Sequence, residues 1–474
     1  MSGPVPKGLL TKERRLHFIG VGGAGMSGIA ELCIRLGFAV SGCDLRATET
    51  TARLASLGAT IGYGHHPDHL AGELDAVVIS SAVKFSNPEV SRARELKIPV
   101  IARAEMLGEL LRLAQLGVAV AGTHGKTTTT SLIALILEEA GLDPTVAIGG
   151  NMRTRGTNVR LGRGDFMVAE ADESDASFLL LLPTVAVVTN IDPEHLDHYG
   201  TMDRVIDAYL SFINRIPFYG VAVLGIDSVN VRALMPSVRK LAVTYGVGAE
   251  ADFRAERITI DGLSTSFEVV YGDRTLGAVT VPSPGRHVAL NALAAIVVAL
   301  RLGIDFETAA RALKNFSGIC RRFEIKGEAA GRIVLDDYAH HPAEVRATLA
   351  AARAAFKRRI VAIFQPHRFT RLRDLFEDFL DAFDAADVLY VTDVYPAGEE
   401  PIPDVNSRRL YEALRARGHL DVRYLGDEAD PAARIAADSA AGDLVVTLGA
   451  GDVYKVGEAV LAVLGQEPWA YERV

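Results

Sequence analysis

Gly122-Thr123-His124-Gly125-Lys126-Thr127-Thr128 follows the apolar run Gly117–Ala121 and opens a helical pattern. A short buried strand that turns on glycines into a helix is a phosphate cradle. Its backbone N–H groups and the positive helix end face the anion, a lysine reaches the terminal phosphates, and a hydroxyl holds Mg2+. Lys126 and Thr127 occupy those two places. The spacing departs from the usual loop: Val120 stands where its first glycine would be, and Gly122 lies three residues before Gly125. A purely structural turn explains the glycines but not a lysine in the first helical turn, where the dipole repels it. A bound anion is the simpler account, and a nucleoside triphosphate such as ATP supplies it.

Carboxylates and histidines recur where further strands should end. Glu170-Ala171-Asp172-Glu173-Ser174-Asp175 follows the apolar run Phe166–Ala169, and Thr189-Asn190-Ile191-Asp192-Pro193-Glu194-His195 follows Val185–Val188. Acids at the carboxyl end of a parallel strand beside a phosphate loop are placed to hold Mg2+ with Thr127, and His195 either ligates metal or orients an acid. The plain alternative for such a run is a solvated acidic loop. Nearer the C-terminus, Asp336-Asp337-Tyr338-Ala339-His340-His341-Pro342 and Gln365-Pro366-His367-Arg368-Phe369-Thr370-Arg371 each follow an apolar strand pattern. Arginines and histidines at adjacent strand ends grip a carboxylate or phosphate, whereas a single arginine is usually a surface ion pair. Pro342 suits the first position of a helix.

A second glycine turn lies near the N-terminus. Gly20-Val21-Gly22-Gly23-Ala24-Gly25 joins the strand Leu16–Val21 to a helix Met26–Leu36, and Asp44 ends the following strand Ala39–Cys43. This matches the dinucleotide fingerprint, in which glycines admit a pyrophosphate and the acid meets a ribose hydroxyl. The pattern does not separate NAD from a UDP-sugar.

The elements that position these groups alternate strand and helix, which implies parallel sheets covered by helices. Asp75–Ser80 and Ile98–Ile101 complete the first sheet. Val118–Ala121, Phe166–Ala169, Val185–Thr189 and Val221–Leu224 build a second, with helices from Lys126 and Met202. Residues 252–281 alternate polar and apolar around two Gly-containing turns, an antiparallel patch. A helix Val288–Leu302 follows. Ile333–Leu335, Ile360–Phe364, Val388–Val391 and Leu444–Leu448 then form a third sheet. The fold class is α/β in three domains: a Rossmann-like domain 1–116, a P-loop central domain 117–319 and a Rossmann-like domain 320–474.

Length agrees, since 474 residues exceed one core. Formal charge is −9, which argues against a nucleic-acid surface. Three cysteines without a CxxC pair point to neither a disulfide framework nor a structural zinc site. The N-terminus lacks a signal-peptide core, and the longest apolar run, Phe178–Val188, is broken by Pro183 and falls short of the ~20 residues a membrane span needs. A soluble, cytoplasmic chain without membrane insertion is expected.

Taken together, HFIGVGGAGMSGIAE, GTHGKTTTT, EADESDASF, TNIDPEHLDHYG, GRHVALNA, RRF, DDYAHHP and FQPHRFTR, in order across residues 16–455, resemble the Mur ligase family of bacterial cell-wall synthesis. The resemblance is strongest to its alanine-adding branch. It implies ATP- and Mg2+-dependent ligation of L-alanine to UDP-N-acetylmuramate through an acyl phosphate, with successive domains binding UDP-sugar, ATP and amino acid. By position it implies ATP contacts from Gly122–Thr128, Asn291, Arg322 and Asp337. It implies UDP-sugar contacts from Gly20, Gly22, Gly23, Gly25, Asp44 and Ser81, and substrate contacts from Tyr338, His340, His367, Arg368 and Arg371. Lys126, His195, Arg322 and His340 are its catalytic group, and Thr127, Glu170 and His195 fall on its metal-binding positions. Two departures stand out: Val288 replaces the family's asparagine, and no lysine occurs from Thr127 through Arg239 to serve as the carbamylated lysine of later pathway members. Rival readings are a recycling ligase adding a tripeptide, a nucleotide-dependent regulatory protein and an NAD-dependent dehydrogenase. The last leaves Lys126 and Thr127 without a role.

Overall fold

The computed structural model describes residues 14–80, 82–149, 159–418 and 421–465. The chain divides into two units, the first made of Met1–Asp192, Thr201–Thr244 and Val297–Asp305, the second of Pro193–Gly200, Tyr245–Ile296 and Phe306–Val474.

The first unit opens with five parallel strands, β1 (Arg15–Ile19), β2 (Ala39–Asp44), β3 (Thr60–Tyr63), β4 (Ala76–Ile79) and β5 (Val100–Ala102), ordered β3-β2-β1-β4-β5. The order reverses between β1 and β4, which places a crevice at the carboxyl end of β1. The glycine turn sits there, and the helix Ala24–Arg35 starts directly from Gly23, two residues earlier than the apolar pattern indicates. Sequence periodicity gives no sign of β3, because Thr60-Ile-Gly-Tyr63 is short and only half-buried.

A second sheet contains β6 (Leu116–Ala121), β7 (Thr145–Ala147), β8 (Val159–Arg160), β9 (Phe166–Glu170), β10 (Val185–Val188), β11 (Val221–Gly225) and β12 (Ala242–Gly246), ordered β8-β7-β9-β6-β10-β11-β12. Val118–Ala121 and Ala186–Val188 are fully buried, as expected of parallel strands covered on both faces. β6 lies between β9 and β10, parallel to both, with Val120 opposite Glu170 and Ala121 opposite Val188. Three strands of common direction and register therefore release their carboxyl ends side by side. The helices Lys126–Glu139 and Met202–Asn214 cover this sheet.

In the second unit β13 (Phe253–Asp261), β14 (Ser264–Tyr271) and β15 (Arg274–Val281) form the expected antiparallel meander, followed by the helix Arg286–Arg301. The last sheet has β16 (Glu324–Ala329), β17 (Arg332–Asp337), β18 (Ile360–Phe364), β19 (Val388–Val391), β20 (Val422–Tyr424) and β21 (Leu444–Leu448), ordered β16-β17-β21-β18-β19-β20. Only β16 runs antiparallel. Pro342 begins the helix Pro342–Phe356 with His341 as its cap. One core face packs Leu335, Leu349, Phe364, Phe379, Phe383 and Val446. Among the described residues no helix is long and apolar enough to cross a membrane.

Phe364 is fully buried and its ring meets those of Phe379 and Phe383. Phe364→Ala should lower the stability of the second unit by about 3–5 kcal/mol, read from denaturant unfolding. A loss below about 1 kcal/mol would show that this aromatic cluster does not hold the sheet to its helices.

Candidate active site

The carboxyl end of β6 runs into the glycine turn that precedes Lys126. Gly122 adopts φ 137°, and a Cβ there would lie 2.0 Å from Thr189 Oγ1, so only glycine lets β10 approach. Gly125, at φ 81°, caps the helix that begins at Lys126. Residues after β10 clamp the turn. Asn190 Oδ1 accepts the His124 N–H at 2.8 Å, Asn190 O accepts the Thr123 N–H at 3.1 Å, and Thr189 Oγ1 donates to His124 O at 2.6 Å. Thr123 Oγ1 accepts the Asp192 N–H at 2.9 Å.

Lys126 Nζ donates to Gly122 O at 2.6 Å, Thr123 O at 3.1 Å and Glu173 Oε1 at 2.8 Å. These oxygens offset the helix dipole that opposes a cation at this point. Thr127 Oγ1 donates to Glu170 Oε2 at 2.9 Å, and that oxygen also accepts the Gly149 N–H at 2.7 Å. Hydroxyl and carboxylate oxygens paired in this way are hard donors of the kind Mg2+ takes. Thr128 follows on the same helix. His195, the third ligand expected from sequence, belongs to the second unit, where it caps the short helix Leu196–Tyr199 with φ 56°.

At the N-terminal turn Gly20 has φ 74°, and the Gly22 N–H is held by Asp44 Oδ2 at 2.8 Å. A Cβ on Gly22 would meet Asp44, and one on Gly25 would meet the Arg103 guanidinium at 2.7 Å; Gly23 lies against Gly20 O. Arg103 also faces Asp172 at 3.5 Å, a cation the sequence reading passed over because it starts an ordinary helix. Ser81 lies outside the described residues.

In the second unit the strand ends of β17 and β18 converge on the segment Pro193–Gly200. Arg371 Nη2 approaches Glu194 Oε1 at 2.5 Å, with both side chains more than nine-tenths buried. Arg371 Nη1 also donates to His367 O at 2.9 Å and to His367 Nδ1 at 3.2 Å. That geometry requires an unprotonated Nδ1. Burial, then His340 and Arg371, accordingly push the His367 imidazole down to about 3. His340 stands 3.9 Å from Glu194 and 3.4 Å from Glu344, and burial and Arg371 lower it to about 4. Arg368 adopts φ 71° and faces Glu399 at 3.9 Å. A pocket is lined by Glu194, His195, Asp197, Arg368, Thr370 and Arg371.

Asp337 has a local structural task as well. Its Oδ2 accepts the Phe323 N–H at 2.7 Å and its Oδ1 the Ala339 N–H at 2.8 Å, so it fixes the turn that presents Arg322. Burial raises its carboxyl to about 6, although Arg322 opposes this. Arg322 lies over the Tyr338 ring and faces Glu344 at 3.7 Å. Its neighbour Arg321 instead ties Asp336 to the carbonyls of Gly449 and Gly451. Asn291 is buried on the helix Arg286–Arg301, and Val288 is in its core. Glu173, Asn190, Glu194 and Glu344 are the groups that sequence reasoning left without roles, though each lies inside or beside a singled-out run.

The comparisons with known proteins place the chain among ATP-dependent ligases. Three family descriptions match in order: Mur ligase family, catalytic domain over residues 15–128, Mur ligase middle domain over 120–299, and Mur ligase, glutamate ligase domain over 321–451. A UDP-N-acetylmuramate–L-alanine ligase of Anaeromyxobacter dehalogenans is 55% identical over 96% of this chain and 98% of its own. One from Geobacter is 53% identical over 95% and 97%. The crystal structure of UDP-N-acetylmuramate-alanine ligase MurC from Thermotoga maritima is similar at TM-score 0.78 and 29% identity, covering 95% and 98%. A murein peptide ligase from Psychrobacter arcticus follows at TM-score 0.68 and 26% identity, covering 97% and 100%. The chain belongs to the Mur ligase family.

The depressed His367 couples stability to pH. Its folded value lies below the unfolded one, so the contribution is complete above about 6.5 and is lost as pH falls toward 3. The slope is at most about 1.4 kcal/mol per pH unit. His367→Gln should flatten the acid side of a melting-temperature profile between pH 6 and 4; an unchanged profile would place the charge change elsewhere.

Proposed function

We propose that this chain joins L-alanine to UDP-N-acetylmuramate at the expense of ATP, in the cytoplasm, as a step of peptidoglycan precursor synthesis. The near full-length identity to alanine ligases carries this reading over the tripeptide-adding alternative. The roles of segments are assigned likewise: 1–116 to the UDP-sugar, 117–319 to ATP, and 320–474 to the amino acid.

A carboxylate is a poor acyl donor, so the γ-phosphoryl group first passes to the lactyl carboxylate, giving an acyl phosphate and ADP. The alanine amine then attacks the acyl carbon, and phosphate leaves. For the first step, Lys126 transfers its charge from Glu173 to the terminal phosphates as they arrive. Gly122–Gly125 present backbone N–H groups to the same anion. Thr127 and Glu170 would hold Mg2+, which neutralises phosphate charge. For the second step, Arg368 and Arg371 supply cationic donors for a carboxylate and for the tetrahedral oxyanion. His340, held neutral, is the group suited to accept the amine proton, while the acceptor nitrogen of His367 is committed to Arg371.

Lys126→Ala should reduce ADP release by at least about a hundredfold while circular dichroism stays unchanged. In the unaltered protein ADP release should require both UDP-N-acetylmuramate and an amino acid, with L-alanine preferred. Release with a tripeptide but not with alanine would replace this assignment by the recycling reaction.

A further inference from the structure

Spacing alone argues against structural zinc, yet the fold gathers donors from four separate segments of the N-terminal sheet. His17 on β1, Cys43 on β2 and Glu89 on the helix Pro88–Glu95 are all but completely buried, and their donor atoms lie within 4.8 Å of one another. His17 Nε2 is 2.9 Å from Glu89 Oε2, and Cys43 Sγ is 3.1 Å from the same oxygen. His65, in the loop after β3, brings Nδ1 to 3.4 Å from Cys43 Sγ and 3.6 Å from Glu89 Oε1. Donors bonded at about 2.0–2.3 Å in a tetrahedron stand about 3.3–3.8 Å apart, so an ion needs His17, Cys43 and Glu89 to widen by roughly half an ångström, with His65 turning in from beside them as the fourth donor.

The surrounding contacts are those that orient metal ligands. Ser41 Oγ meets the other ring nitrogen of His17 at 2.9 Å. His69 Nδ1, at 3.1 Å, and the His66 N–H, at 3.0 Å, hold Glu89 Oε1. Such partners fix ring and carboxylate direction. His65 and His69 are about a quarter exposed, which opens a path from solvent.

We propose that His17, Cys43, His65 and Glu89 bind a divalent ion of the zinc class. One sulfur and two imidazoles select a soft transition metal over Mg2+. On binding, the Cys43 thiol proton leaves to solvent, and the ring proton of His17 sits on Nδ1, where Ser41 Oγ accepts it. One proton is released per ion. The consequence reaches the glycine turn, because Cys43 O accepts both the Gly20 and Val21 N–H groups at 2.9 Å. An ion on Cys43 Sγ would stiffen that turn from beneath.

The test uses the full-length chain, stripped with chelator and then loaded with Zn2+ or Co2+. One ion per chain should survive gel filtration, Co2+ should give a thiolate-to-metal charge-transfer band, and the melting temperature should rise. Cys43→Ser should abolish the band, and His65→Ala, at a position only a quarter exposed, should weaken binding at least about tenfold with an intact circular-dichroism spectrum. His195→Ala should leave the band unchanged. No retained ion in the folded protein, or a band that survives Cys43→Ser, would overturn the proposal.

Discussion

A cation held against the positive end of a helix is the constraint on which the first unit is built. Lys126 opens the helix Lys126–Glu139, where the dipole opposes it, and its side chain is only 15% exposed. Two carbonyls of its own turn and Glu173 keep it there. Removing one partner of so enclosed an ion pair costs about 3–5 kcal/mol, because a charge is left without water or counterion. The glycines follow from this need. Gly122 must let Thr189 approach, and Gly125 must reverse the chain into the helix at positive φ.

The second unit meets a related requirement by a different route. Arg371 and Glu194 are buried together at 8% and 9% exposure, which is tolerable only with further hydrogen bonds to the guanidinium. His367 supplies two, through its carbonyl and its ring nitrogen. The ring must therefore stay neutral, and its stacking on Tyr395 at 5.5 Å fixes its plane. Burial thus does three things at once here. It strengthens the ion pair, lowers the imidazoles and leaves Arg368 as the more accessible cation beside the same pocket.

Much of this was legible in the chain because it follows local rules. The turns at Gly20 and Gly122, the acids after β9 and β10, and the meander at 252–281 all announce themselves through glycine placement, apolar runs or alternation. The family motifs added the order of the strand ends and the ligands expected at each. What stayed hidden is what only tertiary register decides. β3 has no apolar signature, and its half-buried Thr60–Tyr63 becomes a strand by pairing with Ser41–Asp44. Asp337 reads as one of several strand-end acids, but both its oxygens are taken by backbone N–H groups. Glu194 sits beside His195 in the chain, yet its buried partner Arg371 lies 177 residues away. His17 and Glu89 are separated by 72 residues, and neither belongs to a recognisable metal pattern.

The two glycine turns share a device that links these cases. Each follows a parallel strand, and each is gripped from the carboxyl end of the strand next to it. Cys43 O and Asp44 at the end of β2 hold Gly20, Val21 and Gly22, while Thr189 and Asn190 at the end of β10 hold Thr123 and His124. Each such hydrogen bond is worth about 1 kcal/mol net, but together they remove the freedom that glycine would otherwise keep. Parallel register makes the grip possible, since adjacent strands of equal direction end at one edge. A glycine turn is thus rigid only with its neighbour's end in place, and a polar pair at that end is as much part of a phosphate site as the glycines themselves.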